Sequence, residues 1–269
     1  MTGQQAFAAL HRPGKPFLLP NAWDVSSALL LADTGFPAVG TTSLGVTAAA
    51  GEADGAGTGR EVTMALTRAI LPRLAVPVTI DAEGGYSDDP GAVADLAAEL
   101  AELGAAGINL EDARGGGVLR PAAAHAAVIR AVVAAAPGLF VNARTDVFWL
   151  QAGPPDGRLG AATARLLAYQ DAGASGVFAP ALTELADIAA LTRRIQLPLN
   201  VLWRPGTTLP QLGDAGVARV STGSALYRRA LAAAVAAAVA AQHDRPPQGP
   251  DLSYDSVRYA LRPPAARVS

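Results

Sequence analysis

The sequence predicts a (β/α)8 barrel of the TIM type, an α/β fold, with a short helical extension at its C-terminus. Three observations carry this. Eight short β-rich runs fall between Phe17 and Ser221, separated by Ala/Leu-rich helical stretches. Most of the runs are nearly continuous apolar, as strands covered on both faces must be. Polar residues gather just after the runs, whereas Gly, Ala and Pro dominate just before them. A doubly wound open sheet is the alternative, but no Gly-rich dinucleotide fingerprint accompanies the first strand. At 269 residues, 51% hydrophobic and 16% charged, the chain suits one large domain.

The candidate strands, in order, are Phe17–Leu19, Ala38–Thr41, Val78–Asp81, Gly107–Leu110, Leu139–Asn142, Gly176–Ala179, Leu199–Leu202 and Val217–Ser221. Asp24 is placed to cap the first helix, which Gly35 ends. Asp89-Pro90 reads as an N-cap followed by Pro at the first helical position, and Gly104 closes that helix. Gly173 and Gly216 stop later helices in the same way. Residues 1–242 are expected to form the barrel, and 243–269 a linker with a terminal helix and tail. His243–Pro250 is Pro-rich and polar, Leu252–Leu261 has helical spacing, and a loose tail is expected from Arg262.

Composition removes several classes of function. Lys and Arg total 21 against 23 Asp and Glu, for a net charge of −2, with no basic block to hold nucleic acid. The absence of cysteine excludes disulfides, thiolate zinc sites, iron–sulfur clusters and any Cys nucleophile. Lys15, the single lysine, lies in a Pro/Gly turn, a poor place for Schiff-base chemistry. Met1–Leu10 lacks a signal-peptide pattern. No run of ~18 apolar residues marks a membrane span, and Ala230–Ala241 is too short. A soluble, cytoplasmic protein is expected.

In such barrels function sits at the C-terminal ends of the strands. Asn21 and Asp24, Thr42 and Ser43, Asp81 and Glu83, Glu111 and Asp112, Arg144 and Asp146, Asn200 and Arg204, and Ser221 and Thr222 all fall there. Asp81, Glu83 and Glu111 end adjacent strands, so their carboxylates can converge on one point. Three hard oxygens without Cys or clustered His suit Mg²⁺ or Mn²⁺. The alternative is that these acids pair with Arg144, Arg114 or backbone amides. Arg144 is a permanent planar cation able to clamp a carboxylate, or to pair with Asp146. Thr42, Ser43, Leu44 and Gly45 offer hydroxyls and N–H groups as an anion cradle. Trp23, Trp149 and Trp203 follow strands and are candidates to wall the pocket, with ordinary packing as the alternative. His125 is expected on the outer face of a helix, and His11 and His243 outside the barrel.

Seven blocks then add a resemblance. Pro20–Asp24, Thr41–Val46 followed by Asp54, Asp81–Tyr86, Gly107–Asp112, Asn142–Asp146, and Pro198–Val201 with Val220–Gly223 resemble the isocitrate lyase/phosphoenolpyruvate mutase superfamily, in order and over about residues 15–240. The resemblance implies a modified barrel acting on 2-oxo or 2-hydroxy carboxylates through a metal-stabilised enolate. It implies that Asp81, Glu83 and Glu111 hold Mg²⁺ and that Asp54 reaches its water shell. It further implies that Thr42, Ser43 and Leu44 bind the substrate carboxylate, and that Arg144 and Asn200 contact the substrate. A homo-oligomer, dimer or tetramer, is implied as well, with the helix around Ser224–Gln242 exchanged between subunits.

The stretch Ala113–Arg120 departs from the family's lyases, which carry a Lys/Cys-Gly-His loop there. Glu83 stands where Asp is common, Ala53 where Pro is common, and Pro180-Ala181 where His or Glu-type residues occur. The expected activity is therefore a Mg²⁺-dependent carbon–carbon or carbon–phosphorus lyase or mutase, with Tyr86 as the candidate proton donor and a metal-bound water or solvent as the alternatives. An oxaloacetate-type hydrolase, a hydroxymethyl-transfer aldolase and a catalytically silent ligand-binding member are the alternatives.

Overall fold

The computed structural model describes residues 2–55 and 58–262. Its elements run α1 (Gly3–Leu10), β1 (Phe17–Leu19), β2 (Asn21–Ala22), α2 (Val25–Asp33), β3 (Val39–Thr41), α3 (Ser43–Ala49), α4 (Arg60–Ile70), β4 (Val78–Asp81), α5 (Pro90–Glu102) and β5 (Gly107–Glu111). They continue with β6 (Ala113–Arg114), β7 (Val118–Leu119), α6 (Ala122–Ala135), β8 (Phe140–Arg144), α7 (Arg158–Asp171), β9 (Gly176–Phe178), α8 (Leu185–Thr192), β10 (Leu199–Leu202), α9 (Leu209–Asp214), β11 (Arg219–Ser221), α10 (Ala225–Gln242) and α11 (Tyr254–Ala260). The tail expected past Arg262 lies outside the described residues.

Nine parallel strands form the main sheet, in the order β1-β11-β10-β9-β8-β5-β4-β3-β2. Only Pro20 separates β1 from β2, so these are two halves of one stave and the barrel of eight staves comes round on itself. Proline has no N–H to give a ladder, and here it marks the seam. The backbone changes partners across it: Thr222 N donates to Leu19 O and Gly40 N donates to Pro20 O. The Asn21 side chain bridges the same gap. Its Nδ2 donates to Thr41 O at 2.6 Å, and its Oδ1 accepts from Thr222 N and Gly223 N.

The expected helix signals operate as read. Asp24 caps α2 through Ser27 N at 2.7 Å, and Asp89 caps α5 through Gly91 N and Ala92 N. Gly35, Gly104, Gly173 and Gly216 take left-handed φ of 88–100° after their helices, as the C′ position of a helix favours. The outward strand residues Val78, Ile80, Ile108, Leu110, Val141, Val177, Val201 and Val220 pack under the helices as one buried cluster. Each fully buried Leu, Ile or Val contributes on the order of 1.5–3 kcal/mol by removal from water.

The lumen is layered. Helix α1, which the sequence reading did not anticipate, plugs its lower end. Phe7 meets Phe140 and Phe17 edge-on, and the His11 ring stacks on Phe140 at 4.0 Å. Above lies a polar layer where branched apolar side chains are usual. Asn142 Nδ2 and Arg219 Nη2 both donate to Asn109 Oδ1, at 2.9 and 2.7 Å. Strands β5 and β11 are not neighbours, so the Arg219–Asn109 bond spans the lumen. The candidate site is the layer above this one.

Two parts depart from the expected pattern. The glycine-rich stretch after Glu111 is a small antiparallel hairpin, β6 with β7, not a plain loop. Helix α10 leaves the barrel surface instead of covering it. Tyr227 is its buried residue, while Leu231, Val235 and Val239 form an exposed apolar stripe at a spacing of four.

Candidate active site

The mouth of the barrel holds a cavity of about 810 Å³. Asp81, Glu83, Glu111, Arg144, Asp54, Tyr86, Thr42, Ser43 and Leu44 all line it. Sequence reasoning thus brings most of its candidates to one place. Three of them stand elsewhere. Asn200 lies one layer below the floor and donates to Ser221 Oγ at 3.2 Å, and it is Ser221 that meets the cavity. Trp23 packs on Tyr227, with ring centroids 5.6 Å apart, behind the first turn of α3. Gly45 is pressed between the two walls. A Cβ there would lie 2.7 Å from Trp23 Cβ and 2.9 Å from Thr42 Cγ2. Trp23 therefore supports the cavity from behind, and Trp149 and Trp203 line it.

The loop after β4 holds the acids in an unusual backbone. Glu83 and Tyr86 both adopt left-handed φ, 50° and 57°, which costs a non-glycine residue on the order of 1–3 kcal/mol and persists only where the surroundings enforce it. The enforcement is visible. Glu111 N donates to Glu83 O at 2.9 Å, and Tyr86 Oη pairs with Thr63 Oγ1 at 3.0 Å. Asp81 Oδ2 accepts from Ser43 N at 3.0 Å, so the acid caps the start of α3 across the loop. The predicted Thr42–Gly45 turn is thus the opening turn of a helix, where N–H groups lack intrahelical partners.

Arg144 stands at the centre of the charge pattern. Its Nη1 lies 2.7 Å from Glu111 Oε2, and its Nε donates to Asp146 Oδ1 at 2.7 Å. The ion pair with Asp146 that the sequence left as an alternative is realised, and so is a pairing of Glu111 with Arg144. Burial alone would lower the guanidinium's proton affinity, but these carboxylates outweigh it and keep the group charged. Burial pushes Glu83 up to about 7, with the Asp81 and Asp54 carboxylates adding to the shift. Burial likewise raises Glu111, against the opposing pull of Arg144. Asp54 is exposed at the rim, within reach of the Ser43 hydroxyl.

The acids fit a hard cation in one respect and differ from a closed cage in another. Among the described residues, no three His, Cys, Asp or Glu side chains surround a single point. Glu111 is instead drawn onto Arg144. Yet, among the described residues, Asp81 Oδ1 and Glu83 Oε1 are buried carboxylate oxygens without a hydrogen-bond partner. Such atoms are costly unless they meet a donor or a cation. Oxygen-only donors, few in number, match Mg²⁺, which keeps several waters and takes one or two carboxylates.

A second set of residues, given no role by the sequence reasoning, stands behind the site. Asp112 is fully buried and accepts from Thr145 Oγ1, Asp146 N, Arg165 Nη1 and Tyr169 Oη, at 2.7–3.0 Å. It thereby holds the segment carrying Asp146. Arg120, at the foot of the hairpin, bonds Gly84 O and Ser87 O and lines the cavity. His125, expected on an outer face, is fully buried against the barrel, bonded between Arg120 Nη1 and Leu110 O. The signal was present: Val128, Ile129 and Val132 follow it at helical spacing and share its buried face.

Residues 7–242 match the family model described as phosphoenolpyruvate phosphomutase. An uncharacterised protein of Mycobacterium tuberculosis (strain ATCC 25618 / H37Rv) is 46% identical over 233 residues, 87% of each chain. The 2-methylisocitrate lyase of Bacillus subtilis (strain 168) is 32% identical over 190 residues, 67% of this chain and 60% of that enzyme. Among solved structures, a candidate lyase/mutase from Burkholderia cenocepacia J2315 has a TM-score of 0.88 at 35% identity, covering 99% of this chain and 98% of that one. A phosphonopyruvate hydrolase, solved with oxalate and Mg²⁺, shares the fold at a TM-score of 0.81 and 21% identity, over 97% of this chain and 95% of that one.

Proposed function

The chain belongs to the phosphoenolpyruvate phosphomutase family, and from that premise we propose that it is a Mg²⁺-dependent lyase or mutase that makes or breaks a carbon–carbon or carbon–phosphorus bond of a small 2-oxo or 2-hydroxy carboxylate. The observation that carries the reading is the pair of buried oxygens, Asp81 Oδ1 and Glu83 Oε1, that have no hydrogen-bond partner among the described residues and belong to side chains lining the same cavity as Arg144. Asp81, Glu83 and the second oxygen of Glu111 would hold the metal, directly or through water, with Asp54 facing its water shell. Bound Mg²⁺ supplies Lewis acidity toward the substrate's carboxylate and neighbouring oxygen.

The chain's own groups do the rest. Arg144 is immobilised by two carboxylates, so its remaining donors are aimed before substrate arrives. Such preorganised donors act most strongly on charge that develops at the reacting carbon. The hydroxyls of Thr42 and Ser43 and the Leu44 N–H in the first turn of α3 orient the substrate carboxylate, and Gly45 lets that turn pack against Trp23. Tyr86 lines the cavity, and burial pushes its phenol well above the usual range, so it stays protonated; its place in the lining is what makes it the candidate donor. The exposed stripe on α10 supports a homo-oligomer, dimer or tetramer, in which this helix is covered by another subunit, with 1–242 as the catalytic unit.

The test is calorimetry with Mg²⁺ and oxalate, a mimic of the pyruvate enolate, followed by product analysis over a panel of 2-oxo and 2-hydroxy acids. Metal-dependent oxalate binding with turnover of at least one acid is expected. Oxalate binding without any turnover would leave a ligand-binding protein, and no binding would remove the reading altogether.

A further inference from the structure

The cavity is far larger than a three-carbon acid, and its polarity is divided. The acids lie on the β3–β4–β5 side. Continuing round the barrel from Arg144 on β8, the cavity lining changes character. Phe178 on β9 is the register partner of Arg144, and its ring centroid lies 5.6 Å from the guanidinium carbon. On β10 the register partner of Phe178 is Asn200, which does not line the cavity; Leu202, two residues further along the strand, does. Trp203 follows it, and Leu150 and Pro180 come from the loops after β8 and β9. No Lys, Arg or His stands among these five wall residues.

We propose that this wall selects a substrate whose far end is apolar: a 2-oxo or 2-hydroxy acid carrying an alkyl or aryl tail. The inference rests on the proposed function, which places the acid head between the metal-side carboxylates and Arg144. A tail leaving the head beside Arg144 meets Phe178 first, then Leu202 and Trp203. A second carboxylate placed against Phe178 and Leu202 would lose its water without a hydrogen-bond donor from those side chains, which is disfavoured. Two cations stand near this wall, Arg228 in the cavity lining and Arg229 with its guanidinium 5.5 Å from the Trp203 ring centroid, but both are exposed on α10, where a solvated cation adds little to affinity.

Calorimetry on the full chain with Mg²⁺ compares oxalate, pyruvate, 4-methyl-2-oxopentanoate and 2-oxoglutarate. Each buried methylene is worth about fourfold in affinity, so 4-methyl-2-oxopentanoate should bind on the order of tenfold or more tighter than pyruvate, and tighter than 2-oxoglutarate. Leu202→Arg should reverse the order of the last two. If oxalate binds but 2-oxoglutarate is preferred by the unaltered protein, the apolar-tail inference is overturned and the head site stands. If Mg²⁺ and oxalate do not bind at all, the parent reading falls and takes this one with it.

Discussion

Arg144 and Glu111 face each other on adjacent strands, and their side chains meet at 2.7 Å. A residue read as a substrate clamp and one read as a metal ligand are therefore partners in the protein without ligands. The pair keeps one Glu111 oxygen engaged, and with Asp146 it fixes the plane of the guanidinium. Cation and acid are balanced locally, so each is held ready without either being left as a bare buried charge.

Arg144→Gln is expected to act on both stability and chemistry. It strands two buried carboxylates, and breaking such a pair costs about 3–5 kcal/mol. Urea midpoints should fall accordingly. In the fraction that remains folded, kcat/KM should drop by about a hundredfold or more, the scale of losing one preorganised donor. Arg144→Lys should recover part of the stability but little of the activity, because an ammonium cannot reproduce the two-sided contact. Unchanged kcat/KM in Arg144→Gln would remove the residue from the chemistry.

Mg²⁺ should raise the melting temperature of the unaltered protein, since a ligand that binds only the folded state stabilises it. Asp81→Ala and Glu111→Ala should each abolish that rise and the calorimetric signal, with circular dichroism unchanged. Equal Mg²⁺ affinity in both variants would refute the assigned ligands.

Asp112→Ala is expected to lower stability by about 3–5 kcal/mol, because it leaves Arg165 and Asp146 N without their buried acceptor. Denaturant unfolding reads this directly. A loss below about 1 kcal/mol would show that solvent replaces the carboxylate and that the network is not what positions Asp146.

His125 predicts an acid-sensitive window. Burial lowers it from 6.5 to about 4, so the folded protein refuses a proton that the unfolded chain accepts. Its contribution is complete above pH 6.5 and is lost as pH falls from 6.5 toward 4, by up to about 3 kcal/mol. Burial lowers His11 in the same direction. Glu83 is raised and has the opposite sign, gaining stability as pH falls through about 7. The decisive quantity is therefore the difference between the unaltered protein and His125→Phe, measured at several pH values between 7 and 4.5. That difference should shrink or reverse as pH falls. A pH-independent difference would contradict the buried, neutral imidazole.

The eight staves, the caps at Asp24 and Asp89 and the glycine helix stops were legible in the sequence, and so was the polar mouth. Each is written in a few adjacent residues: an apolar run, an oxygen before a helix, a glycine where φ must turn positive. The N-terminal plug was not legible, because Phe7 and His11 gain their meaning only against Phe140. Asn200 and Trp23 do not line the mouth, and for Trp23 the packing alternative is the one realised, since a strand-end position does not reveal whether a side chain crowns the mouth or supports it.

The amino-acid order alone determined the eight staves, most of the helices between them, and that the oxygens gather at one end, because periodicity and capping act over one or two turns. Only the tertiary structure decided which of those groups pair. Glu111 and Arg144 are 33 positions apart in the chain and meet because β5 and β8 lie in register. Arg219 reaches Asn109 across the lumen because barrel closure brings two unpaired strands face to face. Electrostatic partners are set by distance in space, which barrel closure fixes and local sequence does not encode.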